Sequence, residues 1–256
     1  QIMKLTLIGN GIMAQSLARG LVKKFDIEVI GRDEKKLNLM QDKIPGISTK
    51  LISDNEDISG KIVIFCVKPY ALQSVSVRLQ GKASVLLSIL AGTKLETLKR
   101  QIKANHYIRI MPNIAASVQK STTTITGDKE AKAIAVEIFD EIGKTIWVNT
   151  ENQLDIATAI AGSGPAYLAM VAESLADGGV KAGLERSHCV ALVQGLFNGV
   201  AGLLENTHPA IIKDSVMSPG GTTAAGYAKL EEAGVRDAMI KAVDASYKKA
   251  LKLGEK

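Results

Sequence analysis

The sequence predicts an α/β domain built on a doubly wound parallel sheet, followed by an all-α helical domain. Short β-rich runs alternate with helical patterns between residues 3 and 150, which is typical of a parallel sheet covered by helices. From about Glu151 onward the β signals disappear, and long helical segments punctuated by glycines follow. We therefore expect one domain at 1–150 and a second at 151–256.

Six short runs are candidate strands of the first domain. The run at 62–67 reads Ile-Val-Ile-Phe-Cys-Val, and its continuous apolarity predicts a central strand that is buried on both faces. The candidate strands span residues 4–8, 27–30, 61–66, 84–89, 107–110 and 145–148.

The turn after the first strand carries the pattern Gly-x-Gly-x-x-Ala and leads into a helical pattern. In a Rossmann-type strand-turn-helix, the first glycine makes the tight turn and the second lets a pyrophosphate approach the backbone. The small alanine allows the helix to pack on the strand. The motif therefore predicts a dinucleotide cofactor. The predicted contacts are Gly9, Asn10, Gly11, Ile12, Met13 and Ala14.

The end of the second strand bears on the choice between NADP and NAD. NAD-selective sites usually present an acidic residue to the ribose 2'-hydroxyl here, whereas this chain offers Arg32 first and Asp33 after it. A guanidinium can bind the 2'-phosphate with two hydrogen bonds, while Asp33 caps the next helix. We therefore expect NADP, with NADPH preferred. In the alternative, Arg32 is a solvated surface charge and Asp33 accepts NAD.

Two further segments should lie at the carboxyl edge of the sheet, where doubly wound folds bind their ligands. Val67, Lys68 and Pro69 end the buried strand and are predicted cofactor contacts, and Met111-Pro112-Asn113 ends another strand. Alternatively, Lys68 faces solvent and Pro69 is only the first residue of the next helix.

Residues 218–223, Ser-Pro-Gly-Gly-Thr-Thr, predict an anion pocket in the helical domain. They precede a helical pattern over 224–233 that Gly234 should close with a left-handed C-cap. The paired glycines leave room for a ligand, so the backbone N–H groups that open the helix can bind a carboxylate or phosphate. Thr223 can then bind a second group on the same molecule. The alternative is an ordinary loop in which Ser218 caps the helix.

Composition and charge argue against several classes of protein. The two cysteines and three histidines are scattered, so we expect no metal site, no disulfide framework and a cytoplasmic location. The formal net charge of +6 is spread without a dense basic run, which argues against nucleic-acid binding. We see no charged leader before an apolar signal region. The apolar stretch at 189–204 is shorter than the ~20 residues of a membrane span, so we expect no membrane partner.

The segment 187–205 is apolar on nearly all sides and has Gly195 and Gly199 one turn apart. Such a helix should be buried in a close helix-helix contact. Because the second domain is small, we expect this contact in a homodimer. The alternative is a helix buried within its own subunit.

Motifs along the whole chain resemble those of the pyrroline-5-carboxylate reductase family. The later motifs are the more specific ones, together with the tail Leu230-Glu-x-x-Gly-x-Arg236. The motifs are Gly9-x-Gly-x-Met-Ala14, Phe65-Cys-Val-Lys-Pro69, Met111-Pro-Asn113, Gly162-Ser-Gly-Pro-Ala-Tyr167, Ala176-Asp-Gly-Gly179 and Ser218-Pro-Gly-Gly-Thr-Thr223.

The resemblance implies reduction of 1-pyrroline-5-carboxylate to L-proline with NAD(P)H, the last step of proline biosynthesis. It implies a Rossmann domain at 1–150 and a helical dimerisation and substrate domain at 151–256, in dimers that can assemble into decamers. Thr223 would be the catalytic residue, with a hydrogen bond to the ring nitrogen, and Asn55 would contact the adenosine ribose. The implied substrate contacts are Ser218, Gly220, Gly221, Thr222, Asn113 and Ser163.

The chain departs from the family pattern in two loops. Ile114 and Ala115 stand where the family commonly has Thr-Pro, and Ala161 stands where a serine often precedes Gly-Ser-Gly. Three alternatives stay open: a β-hydroxyacid-type dehydrogenase with Lys181 as acid and base, a reductase of another cyclic imine, and a non-catalytic dinucleotide-binding regulator.

Overall fold

The computed structural model describes residues 2–255, which form two compact units. The first unit combines the described residues up to Ser163 with those from Ser246 onward, and the second runs from Gly164 to Ala245. The first unit therefore extends beyond residue 150, because the helix that follows packs with the sheet strands. The assignment of 151–256 as the dimerisation and substrate domain remains a prediction.

An eight-stranded sheet forms the centre of the first unit, in the order β10-β9-β8-β7-β5-β1-β2-β3. All neighbouring strands pair in parallel except β8 and β9, which are antiparallel. Strands β4 and β6 form a separate two-stranded ladder. The strands are β1 Lys4–Ile8, β2 Asp26–Gly31, β3 Ser48–Leu51, β4 Glu56–Asp57, β5 Ile62–Phe65, β6 Leu79–Gln80, β7 Ala83–Ser88, β8 Ala104–Met111, β9 Ser121–Gly127 and β10 Gly143–Trp147.

The doubly wound architecture predicted from the sequence is confirmed. Side chains of β1 alternate between two apolar clusters: Leu5 and Leu7 join one, and Ile8 joins the other. Strand β5 lies between β1 and β7, as its apolar run predicts. The helices of this unit are α1 Ile12–Leu21, α2 Glu34–Lys43, α3 Leu72–Ser76, α4 Leu95–Gln101, α5 Lys132–Asp140 and α6 Glu151–Ala157.

All six predicted strands are present, but β3, β4, β6 and β9 were missed. Strand β3 reads Ser-Thr-Lys-Leu and lies at the edge of the sheet, so it shows little of the apolar pattern of a buried strand. Strand β9 reads Ser-Thr-Thr-Thr-Ile-Thr-Gly and is almost entirely buried. Its threonines are β-branched, which was the available signal for a strand.

Beyond residue 151 the described chain contains no strand, as predicted. Few side chains of the second unit are buried; among the apolar ones, only Ala176 and Cys189 are. They lie where α7 and α8 pack together, and a Cβ added at Gly179 would come within 2.6 Å of the Cys189 sulfur. The helices are α7 Gly164–Lys181, α8 Arg186–Leu204, α9 Pro209–Ser215, α10 Thr222–Glu232 and α11 Val235–Gly254, and the end of α11 belongs to the first unit.

Helix α8 is not buried within the chain, so the alternative of burial in its own subunit is wrong. Leu192, Leu196 and Leu203 are all more than half exposed. The length argument against a membrane span also fails, because α8 has 19 residues. It and the segment Glu151–Lys181 are long and apolar enough to cross a membrane by length and composition alone. Core helices of soluble proteins meet the same criterion.

Candidate active site

The turn between β1 and α1 has the geometry that its glycines predict. Gly9 has a φ of +122°, a conformation that L side chains rarely adopt. A Cβ at this position would also lie 2.8 Å from the carbonyl carbon and oxygen of Cys66. A Cβ at Gly11 would have no heavy atom within 4 Å, so its backbone is open to a ligand. Ala14 is fully buried, as helix packing requires.

A cleft of about 200 Å³ opens at the carboxyl ends of β1, β2 and β5. This is where a doubly wound sheet binds a dinucleotide. Of the predicted cofactor contacts, Gly9, Asn10, Gly11, Arg32, Val67 and Lys68 line it. Its other residues are Ile8, Ile30, Gly31, Lys36, Ile52, Cys66, Tyr70 and Val75.

Positive charge gathers at the β2 end of this cleft. Arg32 is exposed there, with its Nη1 3.5 Å from the Ser74 hydroxyl, and Lys36 lines the same cleft. Asp33 caps α2, because its carboxylate accepts a hydrogen bond from the Lys36 backbone N–H at 3.1 Å. Its carbonyl accepts another from the Asn10 side chain. Two cations beside an acid used as a cap suit a 2'-phosphate better than a free 2'-hydroxyl.

A second cleft, also of about 200 Å³, adjoins the first at Cys66, Val67 and Lys68 and lies at the ends of β5, β7 and β8. Its lining includes the predicted Met13 and Pro69, together with Met111 at the end of β8 and Pro112 after it. The remaining residues are Ile89, Leu90 and Ala91.

Pro69 and Cys66 lie on either side of the Val67–Lys68 turn and line the second cleft. Pro69 is the first residue of the short 3₁₀ helix Pro69–Ala71, as one of the two interpretations predicted. Burial raises the pKa of the Cys66 thiol. The protonated thiol therefore contributes to the lining of the two clefts and does not act as a nucleophile.

The predicted substrate residues Asn113 and Ser163 both hydrogen-bond to other parts of the first unit. The Asn113 side chain accepts from the Ala115 N–H at 3.0 Å and donates to the Ala161 carbonyl at 3.2 Å. The Ser163 hydroxyl lies 2.8 Å from that of Ser246. Ala161 lies in the π-turn Thr158–Gly162. The Asn113 side chain thus connects the end of β8 to this turn.

The segment 218–223 lies in the second unit and opens α10. Gly220 has a φ of +67°, and Gly221 is the N-cap, so the helix begins at Thr222 rather than at the predicted residue 224. The side chain of Ser218 does not cap the helix; its carbonyl accepts from the Gly221 N–H instead. Thr222 and Thr223 are exposed in the first turn. At the other end, Gly234 has the predicted positive φ, at +72°.

Helices α1 and α10 begin in the same way although they belong to different units. Gly11 has φ −79° and ψ −172°, and Gly221 has φ −80° and ψ 175°. Neither helix has a side-chain cap or an acidic residue in its first turn. The unpaired N–H groups and the positive end of the helix dipole therefore favour an anion at each start.

Some predicted cofactor residues lie outside both clefts. Ile12 is 78% exposed, and Ala14 packs inward. Asn55 is exposed, and its backbone carbonyl accepts a hydrogen bond from the Gln80 side chain at 3.1 Å. Lys36 was not predicted to line the cleft. Its position in the first turn of α2, four residues after Arg32, was the available signal. Tyr70 and Ala91 were not predicted either, because they lie in turns without a distinctive pattern.

Between residues 2 and 255, the His, Cys, Asp and Glu side chains form no group of three that could hold a metal ion. Lys181, the acid and base of the dehydrogenase alternative, is exposed at the end of α7.

Comparison with known proteins agrees with this geometry. The family model for pyrroline-5-carboxylate reductase dimerisation matches residues 151–253, and that for coenzyme F420-dependent NADP oxidoreductases matches 4–92. The pyrroline-5-carboxylate reductase of Synechocystis is 37% identical over 267 residues, covering 99% of both chains. The chain belongs to the pyrroline-5-carboxylate reductase family. The reductase of Arabidopsis thaliana is 34% identical over 98% of the chain and 96% of the relative.

Solved reductases of this family have the same architecture. The 1-pyrroline-5-carboxylate reductase of Streptococcus pyogenes superimposes with a TM-score of 0.85 at 29% identity, covering 98% of both chains. The Plasmodium falciparum enzyme, whose structure has NADP bound, gives 0.83 at 26% identity, covering 98% of this chain and 100% of that one. The family membership identifies the chain as an oxidoreductase with an NADP-type N-terminal domain.

Proposed function

We propose that the chain reduces 1-pyrroline-5-carboxylate to L-proline with NADPH, the last step of proline biosynthesis. The observation that carries this proposal is end-to-end similarity to reductases of this name, in a chain that keeps both the β1 glycine turn and the 218–223 turn. The cofactor, when bound, supplies hydride to the C=N carbon.

The residues of the first unit fit the cofactor. Gly11 leaves the backbone open for the pyrophosphate at the start of α1. Arg32 and Lys36 place two cations where the 2'-phosphate would lie, and the carboxylate of the neighbouring Asp33 caps α2. These groups support NADPH over NADH, with NAD as the weaker cofactor.

The first turn of α10 holds the substrate. The carboxylate of the cyclic imine binds the N–H groups that Gly220 and Gly221 leave accessible next to Ser218 and Thr222. The Thr223 hydroxyl hydrogen-bonds the ring nitrogen, whose protonation makes the C=N carbon electrophilic. Since a threonine hydroxyl does not titrate near neutral pH, Thr223 orients and polarises the substrate or relays a proton, and is not the sole acid.

Replacement of Thr223 tests this assignment. Thr223→Ala should lower kcat/KM for pyrroline-5-carboxylate roughly tenfold to a hundredfold, the value of about one hydrogen bond to a charged group. Thr222→Ala is the matched control, because Thr222 contributes only its backbone and should lose much less. Steady-state kinetics with both variants decide, and an unchanged kcat/KM in Thr223→Ala removes Thr223 from the mechanism.

Replacement of Arg32 tests the cofactor preference. Arg32→Ala should weaken NADPH binding roughly tenfold or more and leave NADH binding nearly unchanged, since only NADPH carries the 2'-phosphate. Calorimetric titration with both cofactors measures this. Equal losses for the two cofactors would show that Arg32 does not bind the 2'-phosphate.

We also propose that the chain self-associates through the second unit, as a dimer or as a decamer built from dimers. The exposed leucines of α7 and α8 support this assembly, because so many apolar side chains are seldom left in water. We propose a cytoplasmic enzyme, with neither a membrane nor a nucleic acid as partner.

A further inference from the structure

The buried guanidinium of Arg109 is not used by the reaction as described. Arg109 lies in the middle of β8 and is only 1% exposed. Its Nη1 donates to Glu151 at 3.1 Å and its Nη2 to Asp155 at 2.9 Å. These two carboxylates lie four residues apart on α6, so they face the strand together. The guanidinium therefore attaches α6 to β8.

The same carboxylates hold the start of α4. The second oxygen of Asp155 accepts from the Lys94 ammonium at 3.1 Å, and Glu151 accepts from the Leu95 backbone N–H at 2.8 Å. Lys94 and Leu95 directly follow the loop 89–93, which leaves the end of β7. Glu151 and Asp155 of α6 thus bind both β8 and the residues that follow the loop after β7, and β7 and β8 are neighbouring strands.

The loop after β7 and the end of β8 both line the second cleft. Ile89 and Ala91 come from the loop after β7, Met111 is the last residue of β8, and Pro112 follows it. Four residues beyond Arg109, the Asn113 side chain adds a second attachment through its bond to Ala161. Arg109 and Asn113 therefore fasten β8 on either side of the two residues that line the cleft.

Stability alone is a weak reason for this cluster. Burying charges has a desolvation cost that their attraction only partly offsets, and apolar side chains of similar volume often stabilise a core as well. Within the described residues, the Arg109 Nε is buried without a hydrogen-bond partner, which adds to this cost. What the two bonds of the guanidinium add to packing is direction, because each N–H group must point at its carboxylate and so sets the orientation of α6 against β8.

We propose that Arg109 is a positioning residue for hydride transfer: with Glu151, Asp155 and Lys94 it sets the walls of the second cleft and so holds the nicotinamide end of the cofactor. This inference rests on the proposed function. The first cleft carries Arg32 and Lys36 and takes the adenosine phosphate end, so the adjoining cleft is left for the nicotinamide.

The test compares two ligands that share the adenosine half. Arg109→Lys keeps the charge but cannot bridge two carboxylates as a planar fork does. It should weaken NADPH binding roughly tenfold and lower kcat by a similar factor, because small displacements of reacting groups are costly. Adenosine 2',5'-bisphosphate, which lacks the nicotinamide, should bind as it does to the wild type. Calorimetry gives both dissociation constants.

Two further variants, Arg100→Lys and Glu151→Gln, control for the chemical change itself and for a failure of Arg109→Lys to fold. Arg100→Lys makes the same chemical change at an exposed pair with Glu96 on α4 and should change neither affinity. If Arg109→Lys fails to fold, Glu151→Gln removes one charge at a partly exposed position and should shift the ratio of the two affinities in the same direction.

Equal weakening of both ligands in the folded variant would indicate a merely structural role and overturn the proposal, as would no weakening of either. Failure of the proposed function is distinguishable, because the wild type would then not oxidise NADPH with pyrroline-5-carboxylate. The wild type could reduce this imine while the ratio of the NADPH and adenosine 2',5'-bisphosphate affinities stays unchanged in the variants. That result would exclude the positioning role of Arg109 and leave the proposed function in place.

Discussion

The sheet-centred unit and the helical unit 164–245 place their apolar side chains in opposite ways. In the first, Leu5, Leu7 and Phe65 are fully buried between the sheet and its helices. In the second, α8 carries an apolar sequence, yet Leu192 and Leu196 remain more than half exposed. An apolar sequence is therefore not enough to bury a helix within its own chain.

A charge on α8 should have the largest effect of the changes considered, because it tests directly whether the exposed apolar face of this helix is an interface between chains. Leu196→Asp should weaken self-association by roughly a thousandfold or more, because an unpaired carboxylate in an apolar interface costs several kcal/mol. Analytical ultracentrifugation measures the shift to monomer. Leu39→Asp is the matched control: Leu39 is equally exposed at 56%, but on α2 of the first unit. An assembly unchanged by Leu196→Asp would contradict an interface on α8.

Alanine at either glycine of the turn after β1 should have a smaller effect. One substitution should lower the stability of the first unit, and the other should weaken cofactor binding. Gly9→Ala should lower the free energy of unfolding by about 3 kcal/mol, because the added Cβ meets the Cys66 backbone at a positive φ. Gly11→Ala should leave stability nearly unchanged, since its surroundings are open, and weaken NADPH binding. Urea unfolding without cofactor and calorimetry measure the two effects. Equal stability of the two variants would show that the close approach at Gly9 is tolerated.

The smallest expected effect compares the starts of two helices, one in each unit. Asp33→Ala should cost about 1 kcal/mol of stability, because the side chain caps α2. Ser218→Ala should not change the unfolding transition, because α10 begins at Gly221 without a side-chain cap. Thermal unfolding of both variants measures the difference. A destabilised Ser218→Ala variant would restore the interpretation of Ser218 as a structural cap.

The lining of the first cleft was largely predictable from the sequence because its signals are local. The Gly9 turn, the Arg32 and Asp33 pair and the Lys68 turn each follow a strand, and strand ends meet at one edge of a parallel sheet. Lys36 escaped notice because a lysine in the first turn of a helix is common on any protein surface.

Other features depend on contacts between distant residues. The sequence could not indicate that Asn113 donates to Ala161, since the acceptor is a backbone carbonyl 48 residues away in a π-turn. Arginine side chains are mostly exposed in proteins, although the structure buries Arg109 against two carboxylates on α6. Strand β9 was missed because its threonines look polar, although the sheet buries them.

By itself the sequence determined the alternation of strands and helices, the dinucleotide turn and the family, because all of these depend on short motifs and their order. Only the tertiary structure decided which polar side chains are buried and bonded. It also decided that α6 packs with the sheet and that α8 stays uncovered within one chain. Burial and pairing depend on which distant segments come together, and no local pattern of residue types encodes that.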